Sequence, residues 1–230
     1  MSIHSGHRER VKERFLKDGL DAFHEHEVLE MLLFHCVARK DTNDLAHRLI
    51  CEFGSFNQVM EATPEELQRV TGIGKSVATS LSFFSSFARY YAVKQAEDNG
   101  TILRTINECG EYLKPHFFGR RNEVVYLVCL DAKCKVLTCK MVGEGSVNSA
   151  GVPIRRIVEM ALAANATSVI LAHNHPSGIA VPSGHDVQTT ITVAKALQPV
   201  DVVLVDHLVF SNSDWVSMVH SNYYKPEDIR

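Results

Sequence analysis

The chain has no C-x-x-C pair, no apolar run long enough to cross a membrane, no excess of positive charge and no internal repeat or low-complexity tract. Each absence narrows the field. Without C-x-x-C there is no ordinary zinc knuckle, and Cys129, Cys134 and Cys139, each separated by four residues, fit no usual zinc spacing. Their strand-like surroundings read them as reduced and partly buried. The first residues, Met1-Ser2-Ile3-His4-Ser5, hold no apolar signal core, so a cytoplasmic protein without membrane contact is expected. Lys and Arg number 24 against 27 Asp and Glu, so no global basic field announces nucleic acid. What is present is ordinary for a soluble globular chain: 45% apolar and 22% charged residues over 230 positions, enough for one or two domains with a real core.

The first part of the chain reads as helical. Residues 8 to 16 are charged and amphipathic, and residues 27 to 34 place apolar side chains at helical spacing. Asn43 is placed to cap a helix over 45 to 53 that Gly54 stops. Thr63-Pro64-Glu65-Glu66 is a helix start, with proline at the first helical position and acids in the first turn. The stretch around Gly72-Ile73-Gly74, near 67 to 81, resembles a helix-hairpin-helix, whose glycines let backbone amides approach a phosphate. Only Lys75 and Arg69 supply local positive charge, against Glu61, Glu65 and Glu66, so a glycine-stopped helix pair that merely packs is the competing reading. His24-Glu25-His26-Glu27 tempts as a metal site, but helical residues two apart do not share a face, so it reads as a solvated helix start.

The polar, acidic stretch over 95 to 100, ending in Gly100, reads as a linker between a helical domain at 1 to 95 and a second domain at 101 to 224. In the second domain, helical patterns over 107 to 113, 153 to 164 and 183 to 197 alternate with apolar strand-type runs over 123 to 130, 134 to 142, 168 to 173 and 202 to 210. The glycines at 143 and 145 suggest a loop, and Trp215, Tyr223 and Tyr224 read as packing residues. Helices among strands predict an α+β fold with α/β-like layering.

The most informative stretch is His173-Asn174-His175, followed after seven residues by Ser183 and then Asp186, giving H-x-H-x7-S-x-x-D. Two histidines and an aspartate fill three corners of a zinc tetrahedron and leave the fourth for water, the layout of a catalytic site. If the extended conformation continues to its end, His173 and His175 point to the same side, because side chains alternate along a strand. Ser183 then opens the next helix, with Asp186 in its first turn. Taken alone, Ser183 and Asp186 also read as a helix-capping pair.

These residues carry a resemblance. H-x-H-x7-S-x-x-D is similar to the JAMM signature of MPN+ (JAB) metalloproteases, and the longer His173-Asn174-His175-Pro176-Ser177-Gly178 form, with Pro182-Ser183, resembles the bacterial RadC-type branch, the UPF0758 proteins. Gly6-His7-Arg8-Glu9-Arg10, Leu29-Glu30-Met31-Leu32-Leu33-Phe34, Asp41-Thr42-Asn43, Gly72-Ile73-Gly74, Asn148-Ser149 and Leu204-Val205-Asp206-His207 extend it over nearly the whole chain. The resemblance implies an MPN domain, a curved mixed sheet flanked by helices, with one Zn2+ per chain on His173, His175 and Asp186. It implies Glu123, opening the first strand of that domain, as general base, and Ser183 as the group that steadies the developing oxyanion. It also implies a protein or peptide substrate. A "DNA repair" name comes with RadC-type proteins, so DNA binding through the N-terminal domain, and a non-enzymatic DNA-binding module with a structural or vestigial zinc site, stand as the alternative.

Two positions depart from the pattern. Asn174 stands where many JAMM proteins carry Ser or Thr, and Asn is the RadC-type choice. Pro153-Ile154-Arg155-Arg156 replaces the His-Pro-Arg-Glu of many members, leaving the ligands intact but not a shared substrate preference. Asp206-His207, on an apolar strand, reads as ordering the strand end, with support of the metal site as the second reading. A nucleobase deaminase is excluded, since H-x-E with P-C-x-x-C is absent. Three adjacent letters His-Asn-His are not evidence for an HNH nuclease, whose residues are spread over a hairpin and helix.

Overall fold

In a computed structural model the chain is described at residues 5–38, 41–97, 100–145, 153–176, 178–211 and 214–229. It divides into two compact units, Met1–Ala88 and Arg89–Arg230. Among the described residues no helix is long and apolar enough to cross a membrane.

The first unit is helical: α1 (Ser5–Asp18), α2 (Glu25–Phe34), α3 (Thr42–Phe53), α4 (Phe56–Glu61), the single turn α5 (Pro64–Leu67) and the first half of α6 (Lys75–Ala96). Leu29, Leu33, Leu49, Val59, Leu67 and Leu81 are fully buried in its core. One carboxylate is buried with them. Glu30 accepts hydrogen bonds from Asn43 Nδ2 at 3.0 Å and Thr42 Oγ1 at 3.4 Å, and His7 Nε2 lies 3.1 Å away, so α1, α2 and α3 meet on one charge. Asn43 is therefore not the cap of α3. Asp41 holds that position and accepts from the amides of Asn43 and Asp44, while the Asn43 side chain is drawn inward by Glu30.

Thr63 and Glu66 form a capping box for α5, as the Thr-Pro-Glu-Glu pattern predicts. The helix nevertheless lasts one turn, so the first arm of the helix–glycine turn–helix is short. Gly72 takes φ +99°, a conformation L side chains rarely adopt, and Ile73 turns into the core. His24 and His26 stack at 5.8 Å, because His24 lies at the cap of α2 where the two-apart rule for helix faces does not hold, and His26 stacks on His47 at 4.2 Å. Gln95 and Ala96, which composition places in a linker, are the last two residues of α6. The helix runs on because 75 to 96 contains no Gly or Pro.

The second unit contains α7 (Ile106–Phe117), β1 (Val124–Leu130), β2 (Val136–Glu144), α8 (Ile154–Ala163), β3 (Ser168–Asn174), α9 (Gly184–Leu197), β4 (Val203–Phe210) and β5 (Trp215–Ser217), with 3-10 turns at Gln198–Val200 and Pro226–Ile229. The sheet is mixed, in the order β2-β1-β3-β4-β5, with β3 and β4 parallel and the other neighbours antiparallel. Its two faces follow the alternation along β1. Val125, Leu127 and Cys129 pack with Ile157 of α8 and with Val193 and Leu197 of α9. Val124, Tyr126, Val128 and Leu130 pack with Tyr112, Leu113 and Phe117 of α7. Both faces are covered, which explains why β1 reads as a continuous apolar run rather than an alternating one. The α+β expectation and the mixed sheet flanked by helices hold.

One local expectation does not hold. Gly143 and Glu144 belong to β2, which pairs with Val125 and Val124, so cross-strand bonding overrides the loop tendency of the glycine. Trp215 packs as expected: it lies in β5, and its indole packs on Phe210 and against Gly110 in the middle of α7. Asn148 and Ser149 lie outside the described residues.

Gly110 gives a measurable consequence. A Cβ there would overlap the Trp215 ring. Alanine gains about 1 kcal/mol of helix propensity, but forcing an extra methyl into a packed contact costs about 1–3 kcal/mol. Gly110→Ala should therefore lower the urea midpoint, whereas a helix position free of that contact would show a rise.

Candidate metal centre

The site is built from the end of β3 and the start of α9. His173 pairs with Val125 of β1 and shares the face of Val169 and Leu171, beneath α8 and α9. His175 lies one residue beyond β3, but its amide donates to Phe210 O at 2.7 Å, which keeps the chain extended and returns the side chain to the side of His173. Ser183 caps α9, its hydroxyl accepting from the Asp186 amide at 3.2 Å while its own amide donates to Asp186 Oδ2 at 2.7 Å. The capping pair and the ligand geometry are thus the same residues: the box that starts α9 also aims the Asp186 carboxylate.

Three donor atoms converge. His173 Nε2 and His175 Nε2 are 3.0 Å apart, His173 Nε2 is 3.3 Å from Asp186 Oδ1, and His175 Nε2 is 3.5 Å from Asp186 Oδ2. A tetrahedral zinc with ligands at about 2.0–2.1 Å would set neighbouring ligand atoms about 3.3 Å apart. Among the described residues this is the group of three or more His, Cys, Asp or Glu placed to hold a metal ion.

The protons say more than the distances. Thr190 Oγ1 donates to Asp186 O at 2.6 Å, so it accepts from His207 Nδ1, also at 2.6 Å. Neutral His207 then has a bare Nε2, which accepts from His173 Nδ1 at 2.8 Å. His175 Nδ1 lies 2.9 Å from Ile179 O, a carbonyl that can only accept, so that nitrogen carries the proton. With each Nδ1 held by a partner of its own, both Nε2 atoms turn to the Asp186 carboxylate. Two ring nitrogens and a carboxylate at one point are ligand types that zinc takes.

Charge agrees. Burial opposes ionisation of Asp186, but hydrogen bonding to His173 and the bonds from the Ser183 hydroxyl and amide outweigh it and hold the carboxyl well below the usual range. Burial, helped by neighbouring His173, holds fully enclosed His207 well below the usual imidazole range, in keeping with its neutral form.

Glu123 sits one residue before β1, half-buried, with Gly145 N donating to its carbonyl at 2.9 Å. The antiparallel register pairs Val125 with His173, so Glu123, two residues before Val125, lies just beyond the end of the β1–β3 pairing nearest the two histidines. The Ser183 hydroxyl donates to Asp186 Oδ2 at 2.6 Å, so it must turn away from the carboxylate to meet a substrate. Of the Asp206-His207 pair, Asp206 orders the strand end, bonding the amides of His207 and Val219 and the Ser217 hydroxyl. His207 instead supports His173, a correction to the strand-end reading. A histidine in an apolar strand was the available signal. Thr190 gave none. Arg155 pairs with Glu159 on the surface and Arg156 donates to Val142 O, so neither reaches the donor cluster.

His207→Gln should weaken metal binding about 10- to 100-fold, as loss of a ligand's hydrogen-bond partner commonly does. A competition titration with a chromogenic chelator reads it, and unchanged affinity would show the His207 bond to be irrelevant to the ligand.

Comparison with known proteins agrees with this architecture. The RadC-like JAB domain model matches residues 103–223 and the UPF0758 N-terminal model matches residues 4–79. A UPF0758 protein of Fusobacterium nucleatum is 30% identical, the match covering 93% of this chain and 95% of that one. UPF0758 proteins of Ruegeria pomeroyi and Alteromonas mediterranea are each 31% identical, over 94% and 91% of this chain and 96% and 92% of theirs. The chain belongs to the UPF0758 family and carries a RadC-like JAB domain in its second half.

Proposed function

We propose that the protein is a zinc-dependent amide hydrolase of JAMM type acting on a protein or peptide. The observation that carries this reading is the convergence of two imidazole nitrogens and a carboxylate on one point. His173, His175 and Asp186 would hold one ion per chain and leave the fourth corner open to water. Zinc, when bound, supplies a Lewis acid that polarises a carbonyl and lowers the pKa of water towards neutrality. Glu123 takes a proton from the attacking water and delivers it to the leaving amine. Ser183, once its hydroxyl turns from Asp186, donates to the developing oxyanion. The N-terminal helical domain presents a partner or nucleic acid.

The test is hydrolysis of a panel of peptides and isopeptide-linked conjugates before and after chelation. Activity should vanish on removal of the metal and return with one equivalent of Zn2+. Hydrolysis that survives chelation would overturn the metal-dependent reading. A metal-loaded protein that cleaves nothing would favour the non-enzymatic module instead.

A further inference from the structure

Asn174, between the two histidine ligands, is buried, yet as a strand residue next to His173 its side chain points away from the donor cluster. It makes two hydrogen bonds, and both go to the chain on either side of Glu123. Asn174 Oδ1 accepts from Val124 N at 2.8 Å, and Asn174 Nδ2 donates to Asn122 O at 3.1 Å. Together with the bond from Gly145 N to Glu123 O, these hold the main chain before, at and after Glu123. A carboxamide suits this double bond because it offers an acceptor and a donor in one plane, which Ser, Thr or Asp cannot.

We propose that Asn174 is a positioning residue that ties the Glu123 backbone to the strand carrying the metal ligands, so that base and metal site move as one body. The proposal rests on the reading of Glu123 as general base. The two segments are 50 residues apart in sequence, and Glu123 lies just before β1, where the bonds from Asn174 to its two neighbours fix the main chain. A misplacement of about 1 Å is enough to cost about a hundredfold in rate. The competing view is that Asn174 merely finishes the sheet, in which case its loss lowers stability and leaves chemistry intact.

The experiment uses the zinc-loaded full chain and compares wild type with Asn174→Ala, Asn174→Asp, Glu123→Gln and the double variant Asn174→Ala/Glu123→Gln. Zinc content is read by mass spectrometry, amide exchange by NMR and hydrolysis with fluorescent casein. Asn174→Ala should keep its zinc, speed exchange at the Val124 amide about tenfold, the worth of one hydrogen bond, and leave 127 to 130 protected. Its kcat should fall about a hundredfold at unchanged KM, with no further fall in the double variant. Asn174→Asp keeps the acceptor for Val124 and loses the donor to Asn122, so it should fall between and serves if the alanine variant does not fold. Unchanged exchange at Val124, loss of zinc, or a pure rise in KM overturns the proposal alone. Full hydrolysis by Glu123→Gln overturns the base assignment and the proposal with it. If wild type leaves casein intact, the exchange arm decides, and continued protection of Val124 in Asn174→Ala overturns the clamp.

Discussion

Purified protein should carry about one zinc per chain, and His175→Ala and Asp186→Ala should each empty the site. Both changes leave two of three ligands, and two do not hold zinc against solvent. The two variants should differ in stability. His175 is only partly buried and lies beyond β3, so its loss removes a ligand and little else. Asp186 is buried and closes the capping box of α9, so alanine there costs about 1 kcal/mol more for the cap. Asp186→Asn keeps an acceptor for the Ser183 amide and loses the charge, which separates the ligand from the cap. Metal content by mass spectrometry, beside thermal unfolding of each variant, reads both effects. Chelation of wild type should itself lower stability, by about 4 kcal/mol if free metal had stood at a thousand times its Kd. Full metal content in either alanine variant would remove that residue from the ligand set.

Glu123→Gln should keep its zinc and lose at least about a hundredfold of hydrolysis, the low end of what general acid–base catalysis supplies. Glutamine has the same length and keeps an acceptor oxygen, so orientation of a water survives. What it cannot do is take the proton and pass it on. The effect should therefore lie in kcat, with KM close to wild type. Loss of zinc in this variant would make Glu123 a structural residue of the centre, and full activity would end its assignment as base.

Much of the site is legible before any fold is known, because its parts are local. Two histidines at the end of an apolar strand share a face by the period of two, and Ser183 with Asp186 is a helix start whatever else it is. The helix starts at Thr63 and Ser183 and the buried strand β1 likewise follow from neighbours a few residues away. Where expectation and structure part, a longer-range contact has overridden a local tendency. Asp41 rather than Asn43 caps α3 because Glu30, on another helix, claims the Asn43 side chain. Gly143 and Glu144 stay in β2 because β1 bonds them.

By itself, then, the sequence determined the candidate ligand triad, the layered mixture of helices and strands, and the absence of a basic field. Only the tertiary structure decided how those ligands are served. His207 reaches His173 across the parallel β3–β4 pairing, 34 residues away, and Thr190 orients His207 from α9. Asn174 reaches the flanks of Glu123 across the β1–β3 edge. Register between strands is set by the summed packing of both sheet faces and not by any short stretch. The supporting bonds, and the proton arrangement they impose on the ligands, become readable only once that register exists.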